Sequence, residues 1–530
     1  IAGLDALKGM FAFAFLDVTR RKLLLARDRL GIKQLYYADT VDGFFFASEP
    51  KALLALPWIR AALDTTRLAS YFTFRCVPSP ATLFRGISRL RAGSALSYDL
   101  DSHAINVARY WTLPPQTRDE HSAPAGSREE RSAVDRLEES LLESVRRRLV
   151  ADVPVGAFLS GGLDSALVVA AMRRLAHRNI ETFTATFPGF PDDESEFARH
   201  VSRRFATRHN ERPVSPEDFL TALPRWIDLN DDLVADASSI PLMLVSDRAR
   251  EAGCIVMLSG EGADELFSGY GAYHKFVALR RLSSLIPARA ARASIVSRGA
   301  AMGLVRAQDV PRISEYFTNR SAFLGTAALF GGSRLRALIE PEALTHSVSM
   351  PTAQGTSLAD LCRFDLQFRI PDDLLVRTDR ATMGASIEAR VPFLDHDLVT
   401  QVLQYSPASR AILGLGKVAP RLLARRWGVP ARTIVHRKVG FNIPLGEWFR
   451  GPLKQLWADI LRDRAVPGLH YPEVERLYRA HARGEGHFEE SLWRIAALEA
   501  WYRRWVIGDA VTITHTPAAR PRQALKLVPS

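Results

Sequence analysis

The sequence predicts an α/β protein in two parts: a β-rich first segment, then a larger C-terminal unit built on a doubly wound parallel sheet with a helical extension. Three features of the 530-residue chain predict this. Short apolar runs broken by turn residues fill positions 9–111. A polar stretch holding Pro114, Pro115, Pro124 and Gly126 separates them from the rest of the chain. Beyond it, short apolar strands alternate with stretches of helical periodicity, the pattern of parallel strands joined by crossover helices.

The elements come in order. Met10–Asp17, Lys22–Arg27 and Gly43–Ala47 read as strands, with turns at Gly31 and at Asp42-Gly43. Residues 50–56 and 66–73 read as short helices, and Ala95–Leu100 with Ile105–Trp111 as a last pair of strands. This segment, 1–112, looks incomplete, because its strands lack obvious partners. Residues 113–128 form the linker, too polar to order themselves by burial. From Arg131 to Leu149 the apolar residues Val134, Leu137, Leu141, Leu142, Val145 and Leu149 share one helical face. Val155–Leu159 (strand), Ala166–Ala176 (helix), Thr182–Thr186 (strand), Ser195–Phe205 (helix) and Ile255–Leu258 (strand) complete the alternation. From about Ala272 the chain reads as mainly helical, ending the unit 129–510. A Pro-bearing tail, 511–530, is expected to be disordered.

Composition narrows the function classes. No apolar run approaches the roughly 18–20 residues a membrane span needs. Three cysteines, Cys76, Cys254 and Cys362, lie far apart with no CxxC pair, which excludes a disulfide scaffold or a cysteine zinc site and fits a reducing cytoplasm. Cys76 is expected to be a buried small hydrophobe. The net charge of +12 is mostly arginine, scattered along the chain, so a nucleic-acid partner is not expected.

The chemistry concentrates in two turns. Phe158-Leu159-Ser160-Gly161-Gly162-Leu163-Asp164-Ser165 carries a strand end through a glycine turn into a helix. Such a turn offers unpaired backbone N–H groups and the positive end of a helix dipole to an anion. Ser160 and Ser165 add hydroxyl donors. Asp164 would repel a bare phosphate, and makes sense as a ligand of a bridging Mg²⁺. No GxxxxGK[ST] loop occurs. The second turn, Leu258-Ser259-Gly260-Glu261-Gly262-Ala263-Asp264-Glu265, also comes after a strand. In a parallel sheet both turns fall at strand carboxyl ends, where open α/β sheets bind ligands. Glu261, Asp264 and Glu265 are therefore expected to face Asp164.

Ser160–Ser165 resembles the SGGxDS pyrophosphate loop of ATP pyrophosphatases. Together with LSGEGADELFSGY at 258–270, SIEARVPFLD at 386–395 and RKVGF at 437–441, in that order, it resembles the class B, glutamine-hydrolysing asparagine synthetases. GMFAFAFLD at 9–17, RDRLGIKQLYY at 27–37 and FASEPKALL at 46–54 are similar to the closing part of that family's Ntn-type glutaminase domain. The resemblance runs from about Gly9 to about Trp505. It implies activation of aspartate by ATP as β-aspartyl-AMP with release of pyrophosphate, then attack by ammonia drawn from glutamine. It implies a nucleotide and pyrophosphate site at Leu159, Ser160, Gly161, Gly162, Asp164, Ser165, Ala185, Ser259 and Gly260. Asp164 and Asp264 would hold Mg²⁺. Glu261 would handle the proton of the attacking amine, and Lys438 would offset charge on the phosphate and the tetrahedral intermediate. Arg380, Glu388 and Arg390 match structural ion-pair positions near the site. Gln367 departs from the pattern, standing where many relatives carry a lysine.

The family's N-terminal nucleophilic cysteine and its neighbouring binding motifs do not precede Gly9, and Ile1 cannot replace that cysteine. The chain is therefore expected to begin inside the glutaminase domain. The implied partners are ATP, aspartate and glutamine or ammonia, with a homodimer as one admissible assembly. Relatives that adenylate another carboxylate, such as β-lactam synthetase-like or polysaccharide-cluster amidotransferases, share these loops. A tRNA-modifying ATP pyrophosphatase fits less well, and so does a scaffold with a dead site.

Overall fold

Every strand of the first segment finds a partner. The computed structural model describes residues 2–115, 128–175, 179–191, 193–305, 310–329, 331–347, 350–436 and 443–509. In it β1 (Ala12–Asp17), β2 (Lys22–Arg27), β6 (Ser94–Asp99) and β7 (Ile105–Arg109) form one antiparallel sheet in the order β1-β2-β6-β7. A second sheet, β4-β3-β5, joins Gly43–Ala47, Tyr36–Thr40 and Ser88–Arg89. The middle strand β3 is not evident from its own residues, since Tyr36–Thr40 ends in the polar Asp39-Thr40. Its pairing on both sides supplies the partners that the sequence left unassigned.

The second unit carries a five-stranded parallel sheet in the order β10-β9-β8-β11-β12, from Arg208–Pro213, Glu181–Thr186, Val155–Phe158, Val256–Leu258 and Glu388–Arg390. Three of these are legible as apolar runs. β10 (RHNERP) and β12 (EAR) are not, because they are polar edge strands whose pairing is set by their neighbours rather than by a hydrophobic pattern. The chain winds from β8 through β9 to β10 on one side, and β11 lies on the other. The space between β8 and β11 is therefore the topological switch point.

Helices cover both faces, which makes the sheet doubly wound. On one face Ala157, Val256 and Leu258 pack with Leu137, Leu141 and Val145 of helix Arg128–Arg148 and with the helix Leu163–Arg174. On the other, Phe183, Ala185 and Met257 pack with Ile240, Met243 and Val245 of helix Ser239–Glu251. That second core continues into the first segment through Leu68, Tyr71 and Phe72, and into the C-terminal helices through Trp457, Trp493 and Trp501. Tyr71 Oη donates to Arg494 O at 2.7 Å, and Arg494 Nη1 returns to Thr73 O at 2.9 Å. The two units thus share a core rather than touching across a wet seam. Among the described residues no helix is long and apolar enough to cross a membrane. Most of the expected linker and the tail 511–530 lie outside the described residues.

Candidate active site

The loop after β8 and the loop after β11 meet at the switch point. Gly260 makes this contact possible: a Cβ there would stand 2.7 Å from Ser165 N and 2.8 Å from Asp164 C. Gly161 fits the loop from below, with φ of +82° and Ala198 N 2.7 Å from where its Cβ would be. Within the first loop Ser160 Oγ and Ser165 Oγ lie 3.2 Å apart, and Ser165 Oγ donates to Gly162 O at 3.1 Å. Leu159 N is paired with Phe183 O (2.9 Å) and Ser259 N with Arg390 O (2.9 Å), so sheet ladder bonds hold both loop entrances.

The two acids expected to hold a metal converge on one nitrogen. Lys417 Nζ lies 2.6 Å from Asp164 Oδ2 and 2.6 Å from Asp264 Oδ1, and all three side chains are buried. The ammonium stands where a divalent cation would sit between two carboxylates. Two carboxylates completed by substrate phosphate oxygens are the usual set for Mg²⁺, so these residues fit that ion. Among the described residues no cluster of three or more His, Cys, Asp or Glu could hold a metal without such help. Sequence reasoning misses Lys417. The available signal is the Gly-Leu-Gly-Lys turn at 414–417, where Lys417 takes a left-handed φ of +60° just ahead of helix Val418–Arg426.

Around this point opens a cleft of about 1360 Å³. Leu159, Ser160, Asp164, Ser165, Ala185, Ser259, Gly260, Glu261 and Asp264 line it, while Gly161 and Gly162 shape the loop from behind. Lys438 lies outside the described residues. Arg380 pairs with Glu49 (2.6 Å) and Asp231 (3.3 Å) between the two units, and Arg390 with Glu388 (3.0 Å) on the edge strand, so none of these lines the cleft. Gln367 is likewise not part of its wall.

The opposite wall is a chain of alternating charge that the sequence does not reveal. Glu261 accepts from Thr378 Oγ1 at 2.7 and 2.8 Å and is ion-paired to Arg377. Arg377 reaches Asp236 Oδ2 (3.0 Å), and the same oxygen takes Arg75 Nη2 at 2.9 Å. Arg75 also holds Asp373 (2.9 Å), which lies 3.6 Å from Arg369, and Arg369 pairs with Glu265 at 2.9 Å. Arg75 belongs to the first segment, projected by the left-handed end (φ +61°) of helix Leu68–Phe74. Burial alone would raise the Asp236 carboxyl, but Arg75 and Arg377 outweigh it and hold its pKa well below the ordinary range. Burial pushes Glu265 up to about 7; Arg369 opposes this and Asp264 adds to it. Cys76, beside this wall, is 4% exposed, and burial drives its thiol pKa well up, as a packed side chain rather than a nucleophile.

A doubly wound parallel sheet with two glycine turns meeting at its switch point puts the second unit in the ATP pyrophosphatase-type class of α/β domains. The chain belongs to the asparagine synthase family: the model described as "Asparagine synthase" matches residues 136–503, and "Glutamine amidotransferase domain" matches residues 2–111. A Mycobacterium tuberculosis protein, provisionally named a glutamine-hydrolyzing asparagine synthetase, is 32% identical over 521 residues, covering 96% of this chain and 78% of its own. Asparagine synthetase (glutamine-hydrolyzing) 1 of Bacillus subtilis is 27% identical over 507 residues, 94% of this chain and 77% of its own. Asparagine synthetase B (glutamine-hydrolyzing) of Escherichia coli is 30% identical over 289 residues, 51% of this chain and 45% of its own.

Proposed function

We propose that the chain activates the side-chain carboxylate of aspartate with ATP, releasing pyrophosphate, and passes the acyl group to ammonia to give asparagine and AMP. The observation that carries this reading is the convergence of Asp164 and Asp264 on Lys417 Nζ beside the Ser160–Ser165 loop. Six carboxylates line the cleft against three guanidinium groups among the described residues, with the Lys417 ammonium between two of the acids, a balance that still repels a bare polyphosphate and favours its magnesium complex. Asp164 and Asp264 would hold the Mg²⁺, which supplies charge neutralisation for the leaving pyrophosphate. Ser160, Ser165 and the loop N–H groups bind the departing phosphates, and Leu159, Ala185, Ser259 and Gly260 hold the nucleoside portion against the strand ends. As the carboxylate oxygen bonds to the α-phosphorus, the bond to the bridging oxygen breaks and pyrophosphate leaves. Ammonia then attacks the acyl carbon, AMP departs with the electron pair of the acyl–oxygen bond, and Glu261 accepts the surplus amine proton. Thr378 and Arg377 orient that carboxylate. Lys438, in the Arg437-Lys438 loop, is assigned to the developing negative charge.

The test measures AMP, pyrophosphate and asparagine formed from Mg-ATP and L-aspartate, with ammonium or glutamine as the nitrogen source. Asparagine with ammonium supports the synthetase reading, and asparagine with glutamine adds a working glutaminase half. Asp164→Asn is expected to lower pyrophosphate release by about a hundredfold. ATP binding without turnover on aspartate would transfer the reading to another carboxylate.

A further inference from the structure

At the far end of the helix that leaves the cleft, arginines gather with no acid ion-paired to them among the described residues. Helix Gly271–Ser284 starts just after Tyr270 in the cleft wall, and at 1.5 Å per residue its tenth residue, Arg280, lies about 15 Å away. There Arg280, Arg281, Arg320, Ser283, Ser284, Thr356 and Ser357 surround a second cavity of about 760 Å³ that shares no lining residue with the cleft. Arg289 and Arg292 belong to the next helix, Arg289–Ala301.

The charge here is unanswered. Arg292 spends its donors on neutral oxygens, Thr318 O (3.0 Å), Ile286 O (2.6 Å) and Pro287 O (2.7 Å). Arg289 donates to Asn319 Oδ1 at 3.0 Å, and Arg320 to Ser283 O. Arg280 rests over the Phe276 ring, 6.0 Å from its centroid, and its Nη1 is buried with no hydrogen-bond partner. Among the described residues no carboxylate lines the cavity. Asp360, on helix Leu358–Gln367 behind Ser357, is taken up by Ser357 N (2.9 Å) and Ser357 Oγ (2.6 Å). Burial lowers the Arg292 pKa, and Arg320, Arg289 and Arg280 lower it further by like-charge repulsion.

A helix C-terminus carries about half a negative charge, which attracts one cation but does not balance several. A guanidinium nitrogen buried without a partner is costly unless a ligand completes it. Guanidinium forks match tetrahedral and planar oxyanions. We propose that Arg280, Arg281 and Arg320 form a second binding site, separate from the cleft, for a small multivalent oxyanion of the phosphate class.

Pyrophosphate titrated calorimetrically into the full chain in EDTA tests this, because the acid-rich cleft has little affinity for pyrophosphate without a divalent ion. Binding is expected in the wild type, weakening as salt is raised. Arg280→Gln and Arg281→Gln should each weaken it by about tenfold or more. Arg281→Glu, on an exposed side chain, provides a variant that keeps the fold should Arg280→Gln unfold the helix. Absence of binding in the wild type, or equal binding in a well-folded Arg281→Glu, would overturn the site. Capture of a short RNA through these arginines with no pyrophosphate binding would overturn the small-anion assignment. None of these outcomes depends on turnover of aspartate, so failure of the synthetase reading is distinguishable from failure of this one.

Discussion

The cleft wall and the arginine cavity contain similar groups arranged in opposite ways. In the wall, Glu261, Arg377, Asp236, Arg75, Asp373, Arg369 and Glu265 alternate in sign, and each guanidinium touches at least two carboxylates. In the cavity, Arg280, Arg281 and Arg320 share a lining with serine and threonine hydroxyls, and among the described residues no carboxylate joins them. The first arrangement is complete without a ligand and holds side chains in place for one; the second is short of an anion. Charge in a cavity thus means little until its partners are counted.

Removing charge from each region separates the two, and the largest effect is expected in the wall. Arg377→Gln leaves the buried Asp236 and the half-buried Glu261 under-compensated, which should cost about 3–5 kcal/mol by chemical denaturation. An unchanged midpoint would mean that water reaches the wall freely. Glu265 comes next, through pH. Its folded pKa of about 7 stands above the ordinary 4.5, so between those values the folded state keeps a proton that the unfolded chain has lost. Stability should therefore fall as pH rises through that window, by at most about 3–4 kcal/mol, and level off above it. Glu265→Gln should flatten the curve. Asp236 acts in the opposite sense and elsewhere: its depressed pKa stabilises above the ordinary 3.8 and is lost only as pH falls below it.

A smaller effect tests the link between the two units. Arg75 and Arg377 share Asp236 Oδ2, so Arg75→Gln and Asp236→Asn should be non-additive, with a coupling of about 1–3 kcal/mol in a double-mutant cycle. Additive losses would show that the first segment merely lies against the cleft. Least of all, Arg281→Gln should change stability by less than about 0.5 kcal/mol, or raise it slightly, since no ion pair is lost and repulsion is relieved. A large loss there would contradict the contrast between the regions.

Both glycine turns are legible in the residues themselves, because a strand end, two or three small residues and a helix start leave few alternatives at β8–Leu163 and β11–Ala263. Helix Arg128–Arg148 is legible for a similar reason: its apolar residues repeat at helical spacing. β10 and β12 are hidden, since RHNERP and EAR are polar and take their form from neighbouring strands. Arg75 is hidden more deeply. It sits 161 positions before Asp236 in the sequence, and nothing local marks it as part of the other unit's cleft.

Consecutive residues suffice for the doubly wound class, the two loops and the family, because loop chemistry and strand–helix alternation are local properties of the chain. Folding in three dimensions was needed to set Lys417 between Asp164 and Asp264, to bring Arg75 from the first segment into the wall, and to make the arginines of residues 280–320 converge. Those are long-range ion pairs and repulsions, and their energies depend on distance and burial, which no single stretch of sequence specifies.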